Sequence, residues 1–221
     1  MVEELNQERY DELLDALDNE NIELLKTLFA KYNLTPETQL FDIQRIGPND
    51  EIIQTYIDYV IVFSLTDILD YLIDNTLITV DDLFMAKCLE FKNTDLFEYI
   101  CELGYMPQEN SFKTAIKNSY SAITYKILTL DNELITIIDD KILDSVFGYV
   151  IDEETVETIS VLFEFGVNKQ LFAKYLTLFK NPEIFNLELS EEEENITFEI
   201  INILENNGVL ELDLENLHIL D

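Results

Sequence analysis

An all-α fold assembled from about six helix pairs is what this sequence predicts, and three observations carry the prediction. Apolar residues recur at three- and four-residue steps along nearly the whole chain, the period of a helix with a buried face. Five glycines and four prolines in 221 residues leave few turn signals. Three of those five glycines, Gly104, Gly166 and Gly208, close segments that share one pattern.

The template is DLFEYICELG, ending at Gly104: an acidic start, an apolar pair, two spacers, a second apolar pair and a terminating glycine. ETISVLFEFG repeats it to Gly166 and FEIINILENNG to Gly208. A helix C-terminus favours a left-handed residue, which glycine adopts without a Cβ penalty. Looser copies are IELLKTLFAKYN (22–33), TDILDYLIDNT (66–76) and ITYKILTLDN (123–132). Ahead of each copy lies another amphipathic segment. In chain order these are ERYDELLDAL (8–17), IIQTYIDYVIVF (52–63), DDLFMAKCLEF (81–91), SFKTAIKN (111–118), KILDSVFGYV (141–150) and LFAKYLTLF (171–179).

Each unit is thus a helix pair, and apolar residues such as Leu96, Phe97, Tyr99, Ile100 and Leu103 occupy more than one face, which calls for neighbours on both sides. The whole chain, 1–221, reads as one helical-repeat domain. Two long loops interrupt it, 33–50 with two prolines and a glycine, and 181–195. Residues 190–221 read as an acidic C-terminal cap, with VLELDL (209–214) as a minor strand or extended tail.

KNTDLFEYICELGY and DEETVETISVLFEFGV resemble the second half of an ankyrin repeat, with NENIELLKTLFAKYN a weaker match. The resemblance implies core positions for Leu96, Ile100, Ile159 and Leu162, terminating roles for Gly104 and Gly166, and a helical array of the kind seen in proteins of large DNA viruses and some parasites. The family's Thr-Pro-Leu-His start is absent, and terminators recur at roughly 27 to 44 residues against a family period of about 33. No Asp-Gly or Asn-Gly turn marks a β-hairpin between pairs. The expected architecture is therefore a degenerate, finger-poor ankyrin-like array, with a general α-solenoid or an irregular bundle as the alternatives.

Charge is the other strong signal. Forty-six Asp and Glu face 13 Lys and Arg, a net charge of −33. Such a field repels phosphate backbones and anionic membranes, so direct binding of nucleic acid or lipid is disfavoured and a basic protein is the natural partner. Arg9 and Arg45 stand alone, and no Lys or Arg follows Lys180. The start MVEELNQERYDELL is acidic and lacks the basic and apolar regions of a signal peptide. With Cys88 and Cys101 as unpaired apolar-helix thiols, a cytoplasmic or nuclear setting is expected.

Catalytic signatures are missing. There is no G-x-x-x-x-G-K-[ST] or G-x-G-x-x-G cradle for phosphates. The single histidine, His218, lies outside every repeat unit. Cys88 and Cys101 have no flanking ligands at zinc spacing, and DNENIE lacks the mid-loop glycine of an EF-hand. No enzyme activity, cofactor or metal is expected.

What remains is an acidic surface whose charge density approaches that of a short duplex. Candidate partner-binding residues are Glu153, Glu154, Glu157, Glu191, Glu192, Glu193 and Glu194, with Tyr105 as an aromatic anchor. One reading is a nucleic-acid mimic that inhibits a DNA- or RNA-binding host or defence protein. The alternative is an ankyrin-like adaptor that binds a host protein through its concave face.

Overall fold

The computed structural model describes residues 7–35, 38, 45–46, 52–147, 151–184 and 190–212. They are overwhelmingly helical. The chain groups into two compact units, Met1–Pro107 and Gln108–Asp221, each taken by itself below.

In the first unit, α1 (Gln7–Asp18) pairs with α2 (Ile22–Tyr32), α3 (Tyr56–Val62) with α4 (Thr66–Asp74), and α5 (Asp82–Glu90) with α6 (Thr94–Glu102). The side chains of Asn21, Asp81 and Asn93 accept from Leu24, Phe84 and Leu96 N–H, so three of these helices start on residues whose oxygens satisfy an orphan donor. Two sequence expectations fail between α2 and α3. The loop 33–50 contains a strand, β1 (Arg45–Ile46), paired antiparallel with β2 (Ile52–Ile53). The helix expected from Ile52 consequently begins only at Tyr56. Thr55 sits in extended backbone and forms a capping box with Asp58, which fixes the switch from strand to helix.

Successive pairs are tied by side chains. The Tyr59 hydroxyl donates to Asp18 of α1's end. Tyr99 donates to both oxygens of Asp70, at 2.8 and 2.7 Å, from α6 to α4. Asn93 donates to the Ser64 hydroxyl at 2.7 Å and so links the turn of the third pair to that of the second. Leu17, Leu25, Val60, Leu69, Leu89 and Phe97 are fully enclosed in the core.

The second unit holds α7 (Glu109–Lys117), α8 (Ser121–Leu130), a 3₁₀ segment (Asn132–Ile137), α9 (Asp140–Phe147) and α10 (Glu153–Glu164). A second 3₁₀ turn (Lys169–Phe172), α11 (Ala173–Lys180) and α12 (Glu191–Asn206) complete it. Helix α10 packs against both α8 and α12, while α7 packs against α8 and α9, and α11 against α12. Phe112, Ile127, Leu143, Ile159, Leu162, Phe172 and Ile200 form its core, and Leu96 and Ile100 are equally enclosed in the first unit, as the repeat pattern required. The loop expected over 181–195 is shorter at its C-terminal end. Ser190 and Glu193 form a capping box, so residues 191–195 are the first turns of α12.

Repetition is clearest in the backbone. Glu20, Ser64, Lys92 and Ser119 each adopt left-handed φ values, 47, 55, 56 and 54°, between the two helices of a pair. The residue after each, Asn21, Leu65, Asn93 and Tyr120, donates its N–H to the carbonyl of Ala16, Val60, Cys88 and Ala115. The same turn recurs four times without a glycine, although each left-handed L-residue costs roughly 1 kcal/mol. The second helices end on left-handed Asn33, Thr76, Gly104, Gly166 and Gly208. In each case the next N–H returns to a carbonyl five residues back, as from Tyr105 to Ile100 and from Val167 to Leu162. Of the VLELDL tail, residues 209–212 form no strand and 213–214 lie outside the described residues, as does His218.

Candidate functional site

The predicted acidic residues of the second unit occupy the starts of helices. Asp152 caps α10 by accepting from Thr155 N–H at 2.9 Å, and Glu153 and Glu154 follow in the exposed first turn. Carboxylates there oppose the positive end of the helix dipole, which is one physical reason for acidic residues at this position. Glu157, one turn on, accepts the Ser121 hydroxyl at 2.9 Å. That bond sets the first turn of α8 beside that of α10.

Ser119 and Thr155 meet in the same seam, hydroxyl to hydroxyl at 3.2 Å, and both are buried. Tyr120, half-buried at the start of α8, has its phenol pKa raised by burial and then by the Glu154 carboxylate. Glu153, Glu154, Glu157 and Tyr120 therefore share one edge of the second unit. Sequence reading missed Tyr120. The signal lies in the repeat itself: aligning the starts of α8 and α10 sets Tyr120 and Ser121 opposite the glutamates, although 33 residues separate Tyr120 from Glu153.

Helix α12, packed on α10, carries Glu191, Glu192 and Glu194 exposed. Glu193 differs. Its carboxylate accepts the Ser190 N–H at 2.8 Å and the Ser190 hydroxyl at 2.7 Å. These bonds, the backbone one first, hold its pKa below the ordinary carboxylate value, so Glu193 serves as a cap. Tyr105 also departs from expectation. It belongs to the first unit and is half-buried, its N–H closing the end of α6 behind Gly104.

With 46 Asp and Glu against 13 Lys and Arg, most carboxylates have no cation to pair with. Several of the lysines are committed to joints between helices. Lys31 bridges to Glu12 at 3.1 Å, Lys174 to Asp144 at 2.5 Å, and Lys180 to Glu205 and Glu211 at 2.9 and 2.5 Å. Lys87 sits against Asp58, whose side chain is only 5% exposed. Lys26 and Lys113 pair along their own helices with Glu23 and Glu109. Tyrosine hydroxyls add to these ties, Tyr32 at Glu12 and Tyr175 at Asp144, and Tyr99 binds Asp70. A phenol can neutralise a carboxylate's hydrogen-bonding demand without adding positive charge.

Cys88 is buried and its thiol pKa is pushed up to about 12 by burial, which makes it an inert core group. Cys101, read from the sequence as core, is half-buried. Among the described residues no three His, Cys, Asp or Glu side chains converge as a metal site, and no helix is long and apolar enough to cross a membrane. No protein-family model matches this chain, and neither curated proteins nor solved structures yield a match.

Proposed function

We propose that the protein is a non-catalytic binding module of α-solenoid, ankyrin-like type whose acidic surface engages a basic protein. The observation that carries this reading is the division of labour among charges. A net charge of −33 persists while lysines such as Lys31, Lys87, Lys174 and Lys180 are held in joints between helices. Exposed carboxylates at the starts of α10 and α12 then face solvent with little compensation. Mere solubility is served by a net charge of about 2–8 in a small domain, so the excess calls for a further cause.

The array-like reading is supported by the left-handed turn shared by four helix pairs and by the side-by-side packing of α8, α10 and α12. A field of this strength accelerates encounter with a basic patch and makes binding salt-dependent. Occupation of a nucleic-acid-binding groove is the form of engagement that best matches the charge density. The test is to retain partners from a lysate of the natural host at low and at high salt, with duplex DNA or RNA as competitor. Basic proteins released by salt and by nucleic acid are the expected result. Recovery only of acidic or neutral partners that survive high salt would instead favour an adaptor binding through its concave face.

A further inference from the structure

The second unit contains one place where the repeat breaks, and a groove opens there. Among the described second helices, α8 alone lacks a left-handed terminator. Its C-cap, Asp131, is extended at φ −144° and ψ 97°. The Asp131 N–H still closes on the Ile127 carbonyl at 2.9 Å, and its carboxylate accepts Glu133 N–H at 3.0 Å, turning the chain into the 3₁₀ segment. Beside this turn lies an open groove of about 490 Å³ whose lining includes Tyr125, Leu128, Leu130, Asp131, Glu133 and, from the C-cap of α10, Phe165.

The lining has two kinds of chemistry side by side. Tyr125 and Phe165 meet edge to face, with ring centroids 5.4 Å apart, and Tyr125 and Leu130 are each 45% exposed. Asp131 and Glu133, both exposed, supply carboxylates at the rim. Neither α8 nor α10 has a basic residue in its last turn, where a cation would oppose the negative end of the helix dipole. Apolar rings beside carboxylates and helix carbonyl ends suit a side chain with an apolar stem and a planar cationic head.

We infer that this groove is the specificity pocket of the module and receives an arginine side chain of the basic partner, its guanidinium stacked on the exposed Tyr125 ring beside Phe165 and paired with Asp131 or Glu133. The inference rests on the acidic-surface reading and adds a defined contact to it. An apolar groove alone would accept any hydrophobic residue; the local charge, like that of the whole chain, selects a cation.

The test uses the full chain and a short blocked peptide alternating arginine and alanine, with a second peptide carrying uncharged citrulline for each arginine. Binding at low salt is followed by titration, with chemical shifts read at Tyr125, Leu130 and Phe165. Loss of the cation–aromatic contact or of one rim ion pair weakens such a site by about tenfold at most. Tyr125→Ala and Glu133→Gln should each approach that loss, Tyr125→Phe should restore binding, and Glu199→Gln, an exposed carboxylate of α12, should change it less than twofold. Glu133 is exposed, so its variant tests the contact even if Tyr125→Ala disturbs packing.

Equal losses in Glu133→Gln and Glu199→Gln would overturn the pocket while leaving the acidic surface as a diffuse binder. Equal binding of the citrulline peptide would overturn it in favour of an apolar occupant. A concentration-dependent dimer dissolved by Tyr125→Ala would assign the groove to a second copy of the chain. No binding of the arginine peptide to the wild-type protein would take the underlying functional reading down as well.

Discussion

Lys87→Met removes one charge from the most enclosed ion pair described. Asp58 is 4% exposed, one carboxylate oxygen accepts Gln54 and Thr55 N–H at 3.0 and 2.8 Å, and the Lys87 ammonium lies against the other. Methionine keeps most of the lysine's apolar stem, so the change isolates the ammonium. Breaking a fully buried pair by removing one partner costs about 3–5 kcal/mol. The Lys87 side chain is 36% exposed and Asp58 keeps its two backbone donors, which brings the expected loss to about 2 kcal/mol. Urea unfolding followed by circular dichroism gives the number. In the double variant Asp58→Asn/Lys87→Met the two effects should be non-additive by about 1–2 kcal/mol, as for groups in direct contact. Additive effects, or a single-variant loss below about 0.5 kcal/mol, would show that Lys87 does not stabilise the α3–α5 joint.

Three further perturbations address other parts of the fold. Gly104→Ala forces an L-residue to φ 95° with no heavy atom within 4 Å of the new Cβ, so the loss of about 1 kcal/mol in a thermal melt is pure backbone strain; an unchanged melting temperature would remove the terminator role. Thr158 has a fully buried hydroxyl with no hydrogen-bond partner, so Thr158→Val should stabilise by up to about 1 kcal/mol in urea, and destabilisation would mean the hydroxyl is satisfied. The Tyr175 phenol pKa is raised by burial and then by its bond to Asp144. A folded pKa above the unfolded value of about 10 contributes stability that is complete below pH 10 and fades as pH climbs toward the folded value. Melting temperatures should therefore fall above that pH, and Tyr175→Phe should flatten the fall; an unaltered slope would detach Tyr175 from it.

How much of this was readable in the letters depends on the range of the interaction. The helices, and the terminators at Gly104, Gly166 and Gly208, depend on local periodicity and on the one residue without a Cβ, and both leave marks in sequence. The left-handed turns at Glu20, Ser64, Lys92 and Ser119 left none, because four different ordinary residues take the conformation and the bond that closes each turn is made by backbone alone. Ile52 and Ile53 continue an apolar run that reads as helix, yet pairing with Arg45–Ile46 claims them for a strand. Glu193 looked like one of four equivalent carboxylates, and only the Ser190 cap geometry separates it. The groove at Tyr125 and Phe165 was invisible for a different reason: it arises where the pattern fails, forty residues apart in sequence and joined only by the packing of α8 on α10.

The most direct measurement of the central claim is the salt dependence of affinity for a purified basic DNA-binding protein such as a histone, with and without duplex competitor. Replacement of neutralised phosphates by carboxylates predicts that log affinity falls steeply and linearly with log salt. It also predicts that DNA displaces the protein and that Glu153→Gln/Glu154→Gln/Glu157→Gln shallows the slope. Absence of binding at low salt, or binding indifferent to both salt and DNA, would contradict the account.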